Sequence, residues 1–188
     1  MGRFSVISEN AFNEFQAEVG VLLKNFNPES PTLDDAEIIC ATTGGITHTC
    51  SAEYRDNGED VDNCPNGMME LMEVTNWTAT IAFNALNVTT EVIRMALGAA
   101  DVDAEKGKII PRRDLKNTDF ADVWWVGDRT DGGLVAIRLI NALSTSGLSL
   151  QTTKNGKGQI SVTLSGHVSI QNQTLVPMEF YVQEGTEE

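Results

Sequence analysis

Two stretches of the chain alternate apolar and polar residues with a period of two, the spacing typical of half-buried β-strands. The first places Ile46, His48, Cys50, Ala52 and Tyr54 on one face. The second places Trp77, Ala79, Ile81, Phe83 and Ala85 on one face. Residues 55–67 between them are polar, acidic and rich in Asn-Gly pairs. The pattern predicts a long β-hairpin whose acidic tip projects from the body of the molecule.

A short helix follows the second strand. Thr89 is suited to the N-cap position, Glu91 lies in the first turn, where its charge favours the helix dipole, and Gly98 marks the end. An apolar stripe predicts that the helix lies across one sheet; its members are Val88, Val92, Met95, Ala96 and Ala99.

Strand signals resume in the second half of the chain. Asp131-Gly132 separates residues 123–126 from 134–142, and Asn155-Gly156 separates residues 148–152 from 160–164. Both dipeptides are typical of hairpin turns. A last strand is predicted at residues 180–182. Trp124 and Trp125 point to opposite faces of their strand, so we expect one in the core and one at an interface.

Three segments lack a clear strand pattern. The spacing of Phe12, Phe15, Val19, Leu22 and Phe26 predicts a short helix that gives way to a strand. Residues 27–31 contain two prolines and predict a loop. Residues 101–121 have no period and predict a surface connection. Together the elements predict one domain, residues 1–188, that is mainly β: an antiparallel β-sandwich or barrel-like fold with one packed helix, an N-terminal arm (1–18) and an acidic tail (183–188).

Charge is distributed unevenly along the chain. The net charge is −14, which argues against ordinary nucleic-acid binding because that needs a basic surface. Residues 29–73 contain eleven acidic side chains and one basic side chain, Arg55, whereas residues 132–178 contain no acid. The asymmetry either keeps a β protein soluble or draws identical subunits together head to tail. No apolar run reaches the roughly 20 residues that cross a bilayer, and the N-terminus lacks a secretory pattern, so we expect synthesis in the cytoplasm and no membrane partner.

Histidine and cysteine, which often serve in nucleophilic catalysis and zinc binding, are scarce in this chain. His48 and His167 are the only histidines, both in alternating segments, and no nucleophile elbow is present, so we expect no enzyme activity. Two sets of candidate metal ligands exist, Cys40, His48, Cys50 and Cys64 for zinc and Asp56, Glu59, Asp60 and Asp62 for calcium. Neither spacing matches a known module, so we expect no metal and no cofactor.

Four segments resemble the major tail tube proteins of bacteriophages. They are residues 76–83 running into 89–98, with the sequences NWTATIAF and TTEVIRMALG, residues 122–128, DVWWVGD, and residues 155–167, NGKGQISVTLSGH. The similarity extends in order over residues 19–182. Type VI secretion tube proteins have a similar fold.

The resemblance implies a structural subunit that forms stacked hexameric rings around a tape-measure protein and leaves a channel for DNA delivery. Other partners would be tail terminator and baseplate proteins, a sheath if the tail is contractile, and genomic DNA that passes without specific binding. The protein would be located in the virion tail, after assembly in the bacterial cytoplasm. The implied self-assembly loop comprises Arg55, Asp56, Asn57, Glu59, Asp60, Asp62 and Asn66.

A negative channel suits DNA transit because carboxylates repel phosphates. Candidate acids for the lumen or the ring-to-ring contact are Glu53, Asp56, Glu59, Asp60, Asp62, Glu70 and Glu73. Three alternatives remain: a related ring component such as a baseplate hub or a type VI-like secretion tube, a monomeric β-sandwich that binds sugars or peptides, and an enzyme built from scattered acids.

Overall fold

A computed structural model describes residues 7–8, 11–12, 14–16, 18–34 and 37–185. This part of the chain contains ten strands and one α-helix, α1. The strands are β1 (Val21–Leu23), β2 (Thr42–Asp56), β3 (Met72–Ala85), β4 (Ala100–Asp103), β5 (Lys108–Pro111), β6 (Ala121–Asp128), β7 (Leu134–Ser144), β8 (Ser149–Gln151), β9 (Gln159–Ser165) and β10 (Met178–Gln183). Helix α1 is Thr90–Leu97, between β3 and β4. In the described part of the chain, no helix is long and apolar enough to cross a membrane.

The strands form two antiparallel layers and a separate small hairpin. One layer has the order β1-β6-β7-β10, and the other contains β2, β3, β9 and β8. Strand β7 joins the layers because its last residues, Leu143 and Ser144, pair with β9. Strands β4 and β5 pair with each other. The sheets do not close into a barrel, so the predicted mainly β, sandwich-like class is confirmed.

Strand β7 changes layer at Asn141. This residue has a left-handed φ of 47°, which asparagine tolerates better than most residues. Its backbone N–H donates to Asp122 Oδ1 at 2.9 Å, and its side-chain Nδ2 donates to the carbonyl of His167 at 3.1 Å. These hydrogen bonds fix the corner that places the two layers face to face.

The main core fills the space between the layers and beneath α1. Ile81 and Leu164 from one layer and Leu139 from the other are at most 1% exposed. Burying such a side chain stabilises the fold by about 1.5–3 kcal/mol. A smaller cluster on the outer side of the first layer contains Trp124, which packs against Phe26 and Tyr181 at ring-centroid distances of 5.8 and 5.6 Å. The two tryptophans do lie on opposite faces, but the expectation of one at an interface was wrong because these rings cover Trp124.

Helix α1 has the predicted boundaries. Thr89 Oγ1 accepts a hydrogen bond from the N–H of Val92 at 3.2 Å, and Gly98 ends the helix with a φ of 74°. Val92 and Ala96 are fully buried in the main core. The predicted hairpins β2–β3, β6–β7 and β8–β9 and the last strand β10 are also confirmed.

One prediction made from residue spacing was wrong in part: the predicted strand is present as β1 (Val21–Leu23), but the helix before it is not. The described residues between 11 and 20 form turns and a bridge rather than a helix. There Gly20 has a φ of 76°, and the Val19 carbonyl accepts the indole N–H of Trp125 at 2.9 Å, so contacts with β6 replace a helical hydrogen bond. The remaining residues of the predicted arm (1–18) and the end of the acidic tail (183–188) lie outside the described residues.

The predicted surface connection at residues 101–121 contains the β4–β5 hairpin. Ion pairs rather than an apolar face organise it. The Arg112 guanidinium contacts Asp119 and lies 2.8 Å from Asp101 Oδ1, and Lys116 Nζ lies 3.4 Å from the same oxygen. The carboxylate of Asp119 is only 1% exposed. Arg94 of α1 lies 4.0 Å from Asp119 Oδ1 and donates to the carbonyl of Thr118 at 3.2 Å, which holds the connection against the helix.

His48 lies on the core face of β2 with its ring 4.7 Å from the ring of Trp125. Both ring nitrogens are buried without a hydrogen-bond partner among the described residues. Burial lowers the pKa of His48 to about 4, from an ordinary value of 6.5. The folded state therefore disfavours the protonated ring that the unfolded chain would carry.

We predict that His48 contributes to acid lability. Above about pH 6.5 the His48 ring is neutral in both the folded and the unfolded state, so it does not change the free energy of unfolding. Because its pKa is lower in the folded state, the free energy of unfolding falls as the pH decreases from 6.5 towards 4. Replacing His48 by Leu should reduce the loss of denaturant midpoint over that interval, as measured by circular dichroism. Comparison at pH 8, where both side chains are neutral, controls for changed packing. Parallel pH profiles of the two proteins would contradict the prediction.

Candidate self-assembly surface

The β2–β3 hairpin is longer than the body that supports it. Strand β3 pairs with β9 only between Thr80 and Ala85. Between Met72 and Thr78 its only strand partner in the described chain is β2. This part extends roughly 20 Å beyond the supported sheet, at about 3.3 Å per residue. Residues 51–78 are called the distal hairpin below, and residues 57–71 are its tip.

The core face of the hairpin continues along the distal hairpin, where it is only partly covered: Val74 and Trp77 line a cavity with Val168, Leu175 and Pro177. Within the body, His48 lies opposite Ile81 and Cys50 opposite Ala79, and Ile81 and Ala79 are buried. Further out on the same face, Ala52 lies opposite Trp77 and Tyr54 opposite Val74. There Trp77 is 38% exposed, Val74 44% and Tyr54 65%. One apolar face is therefore buried at its base and exposed towards its tip.

Hydrogen bonds and one ion pair order the tip. Asp56 accepts from the backbone N–H of Gly58 at 2.8 Å and from that of Gly67 at 2.7 Å, and these bonds hold its pKa below the usual range. Asn57 Nδ2 and Arg55 Nη2 donate to Glu73 Oε2 at 3.1 and 2.7 Å and lower the pKa of Glu73. Four predicted site residues thus shape the tip rather than offering free polar groups: Arg55, Asp56, Asn57 and Glu73.

The remaining predicted acids point to solvent. They are exposed, and none forms an ion pair with another residue that the structure describes; the five are Glu53, Glu59, Asp60, Asp62 and Glu70. Asn66, in the predicted self-assembly loop, is also exposed. The tip therefore combines an internally bonded frame with a set of outward carboxylates.

Two of the edge strands, β2 and β10, leave one hydrogen-bonding edge open next to exposed apolar side chains. Strand β2 pairs only with β3, and β10 pairs only with β7, in the described part of the chain. On β10, Phe180 and Val182 alternate with the side chains near Trp124 and are 57% and 62% exposed. Open edges with exposed apolar side chains are the places where another chain can add to a sheet.

Sequence reasoning missed the apolar part of this surface. It identified Trp77 and Tyr54 as strand residues with a buried face, and it assigned no assembly role to Phe180 or Val182. The period-two pattern identified in the sequence covered residues 46–54 and 77–85 of the two strands. The pattern did not show at which residue the opposing layer ends.

The candidate ligands for metals do not form a site. Cys40, Cys50 and Cys64 are free thiols, and burial raises the pKa of Cys40 to about 11. Within the described ranges, no group of three or more His, Cys, Asp or Glu side chains is arranged to hold a metal ion.

A cavity of about 230 Å³ lies between α1 and the sheets, lined in part by Met95, Val123 and Leu164.

Comparisons with known proteins identify no family. No family model and no curated protein matches the chain. Among solved structures, the chain is similar to one chain of a structure described as "Virion of native gene transfer agent (GTA) particle". The TM-score is 0.40 and the sequence identity 11%, over 93% of this chain and 99% of that chain. A likeness at this level does not identify a function.

We predict that Asp56 orders the tip without supporting the body. In the Asp56→Ala variant the N–H groups of Gly58 and Gly67 lose their acceptor, so their amide hydrogens should exchange faster. Amides of β7 should keep their protection. Glu59→Ala, which removes an exposed carboxylate on the same tip, is the matched control. Unchanged exchange at Gly58 and Gly67 in Asp56→Ala would contradict this role.

Proposed function

We propose that this protein is a structural subunit of a phage tail tube, with no catalytic role, that assembles into stacked rings around a channel. The observation that carries the proposal is the partly exposed apolar face of the distal hairpin. The resemblance of residues 76–83, 89–98, 122–128 and 155–167 to tail tube proteins supports it independently.

An isolated two-stranded hairpin is only marginally stable in water. The distal hairpin nevertheless keeps Trp77, Val74 and Tyr54 together on one face. Burying such side chains against a partner releases about 25 cal/mol for each Å² of apolar surface. Residues 168–177 of the same chain lie beside Val74 and Trp77 but leave them 44% and 38% exposed, and Tyr54 is 65% exposed. A second copy is therefore the partner that this arrangement favours.

The open edges of β2 and β10 suit a contact between unlike surfaces of neighbouring copies. A contact of this kind closes into a ring if the rotation between subunits permits, and otherwise continues as a filament. Ring closure would cover the edges that favour aggregation in a free monomer. The hexameric number is taken from the resemblance alone.

The charge of the chain fits a channel that conducts DNA. A net charge of −14 gives a surface that repels phosphate, so the genome would pass without specific binding. The same proposal includes a tape-measure protein, terminator and baseplate proteins, a sheath in a contractile tail, and location in the virion tail after assembly in the host cytoplasm. Related ring components, such as a baseplate hub, would share the subunit contacts but not the stacking into a long tube.

We predict that the exposed apolar face drives assembly. The double variant Tyr54→Thr/Val74→Thr keeps good strand formers but removes apolar surface from the distal hairpin. Its denaturation midpoint should stay near that of the parent protein, while the concentration needed for assembly should rise about tenfold or more, equivalent to about 1.4 kcal/mol per contact. Sedimentation and negative-stain microscopy would measure this.

Ile110→Thr is the matched control, because Ile110 is 48% exposed on β5, away from the hairpin. Equal assembly by the double variant and the control would contradict the role of the hairpin face. A protein that stays monomeric at every concentration and binds a glycan or peptide would instead support the ligand-binding alternative.

We predict that some of the candidate acids line the channel or the contact between rings. The outward set is Glu53, Glu59, Asp60, Asp62 and Glu70. Cryo-electron microscopy of assembled tubes would locate each carboxylate relative to the tube axis. Finding all of them on the outer wall would exclude this role.

A further inference from the structure

The two ends of the second layer carry opposite charge. The acidic tip follows β2 and precedes β3 at Met72. Strand β9 runs antiparallel to β3 and pairs Ile160 with Ala85, so the β8–β9 turn, residues 152–158, lies near the other end of β3. The 14 residues of β3 span about 43 Å between these ends. The sheet therefore has an acidic end and an opposite end that contains the β8–β9 turn.

The β8–β9 turn offers two cations that no other residue described by the structure neutralises. Lys154 and Lys157 are exposed and form no ion pair with a described residue, and residues 132–178 contain no acid. Most other described cations are already paired; for example, Arg138 contacts Asp122 at 2.6 Å and Glu179 at 3.1 Å. The turn is thus a small, purely basic surface.

Apolar side chains accompany the two lysines. Leu148 is 40% exposed and Leu150 is 47% exposed, just before the turn. The distal hairpin has the complementary combination, an exposed apolar face together with a tip that carries Glu59, Asp60 and Asp62. Both surfaces therefore pair apolar side chains with unneutralised charge, and the two charges are opposite in sign.

We propose that the β8–β9 turn of one copy is the surface that receives the distal hairpin of the next copy. This rests on the proposed self-assembly function and names the partner surface of the hairpin. A translation of one subunit along the strand direction brings the acidic tip to the basic turn. Because successive copies are related by translation and the donor and receiving surfaces lie at opposite ends, the contact repeats without closing and gives every ring of the stack the same polarity.

A competing receiver is the β4–β5 hairpin and the segment after it. Lys108 and Arg113 there are also exposed without a described ion-pair partner. That region, however, contains Asp101, Asp103, Glu105 and Asp114 among its cations. Its mixed charge gives less attraction for an acidic tip than the acid-free β8–β9 turn. These two cations consequently supply the matched control.

The test measures assembly of the full chain as a function of salt and of charge reversal. Lys154→Glu/Lys157→Glu should raise the concentration required for stacking by about tenfold or more, since it turns attraction at two positions into repulsion. Glu59→Lys/Asp62→Lys should do the same. The variant that combines all four substitutions restores complementary charge and should recover assembly. Lys108→Glu/Arg113→Glu should assemble like the parent protein, and thermal denaturation checks that each variant is folded.

Zero-length carbodiimide crosslinking of parent assemblies gives a second readout that needs no substitution. The reagent joins a carboxylate to an amine in direct contact, so mass spectrometry should detect tip acids linked to Lys154 or Lys157 of another copy. Assemblies in which the tip links only to other lysines, or in which charge reversal at the turn has no effect, would overturn the assigned receiver while leaving self-assembly intact. Absence of any assembly by the parent protein would instead refute the proposed function itself.

Discussion

The β2–β3 hairpin has an apolar face that is longer than the layer able to cover it. At its base, Ile81 is fully buried beneath the other layer, whereas Tyr54 on the same face is 65% exposed. Side chains alternate between the two faces along each strand, so the arrangement that buries Ile81 also places Tyr54 on the same face. In the proposed assembly, a surface of a neighbouring copy would cover the exposed outer part of the hairpin.

The rest of the molecule supports that extension. Strand β7 passes between the layers at Asn141 and holds β9 beside β3, which anchors the base of the hairpin. At the far end, Asp56 binds two backbone amides and Glu73 binds Arg55 and Asn57, so the tip keeps a defined shape. Rigid support at both ends reduces the conformational entropy that binding would otherwise cost.

In the proposed assembly, apolar burial supplies the free energy of association and charge sets the orientation of the subunits. The apolar face supplies most of the free energy because exposed ion pairs contribute only about 0–1 kcal/mol each. The acidic tip and the lysines at residues 154 and 157 supply direction, since like ends repel and unlike ends attract. The distribution of charge along the chain therefore matters more than the net charge, which mainly limits what the channel can bind.

Local patterns in the sequence determined the strands, the turns and the capped helix, because period-two alternation, Asp-Gly and Asn-Gly pairs and Thr89 act over a few residues. They failed where contacts distant in sequence decide: Val19 bonds Trp125, Arg112 and Asp119 organise residues 101–121, and Phe26 covers Trp124. Only the tertiary structure showed which part of an alternating strand is covered. The alternation of apolar and polar residues is the same whether or not the opposing layer covers the apolar ones. The position where that layer ends depends on pairings between strands far apart in the chain.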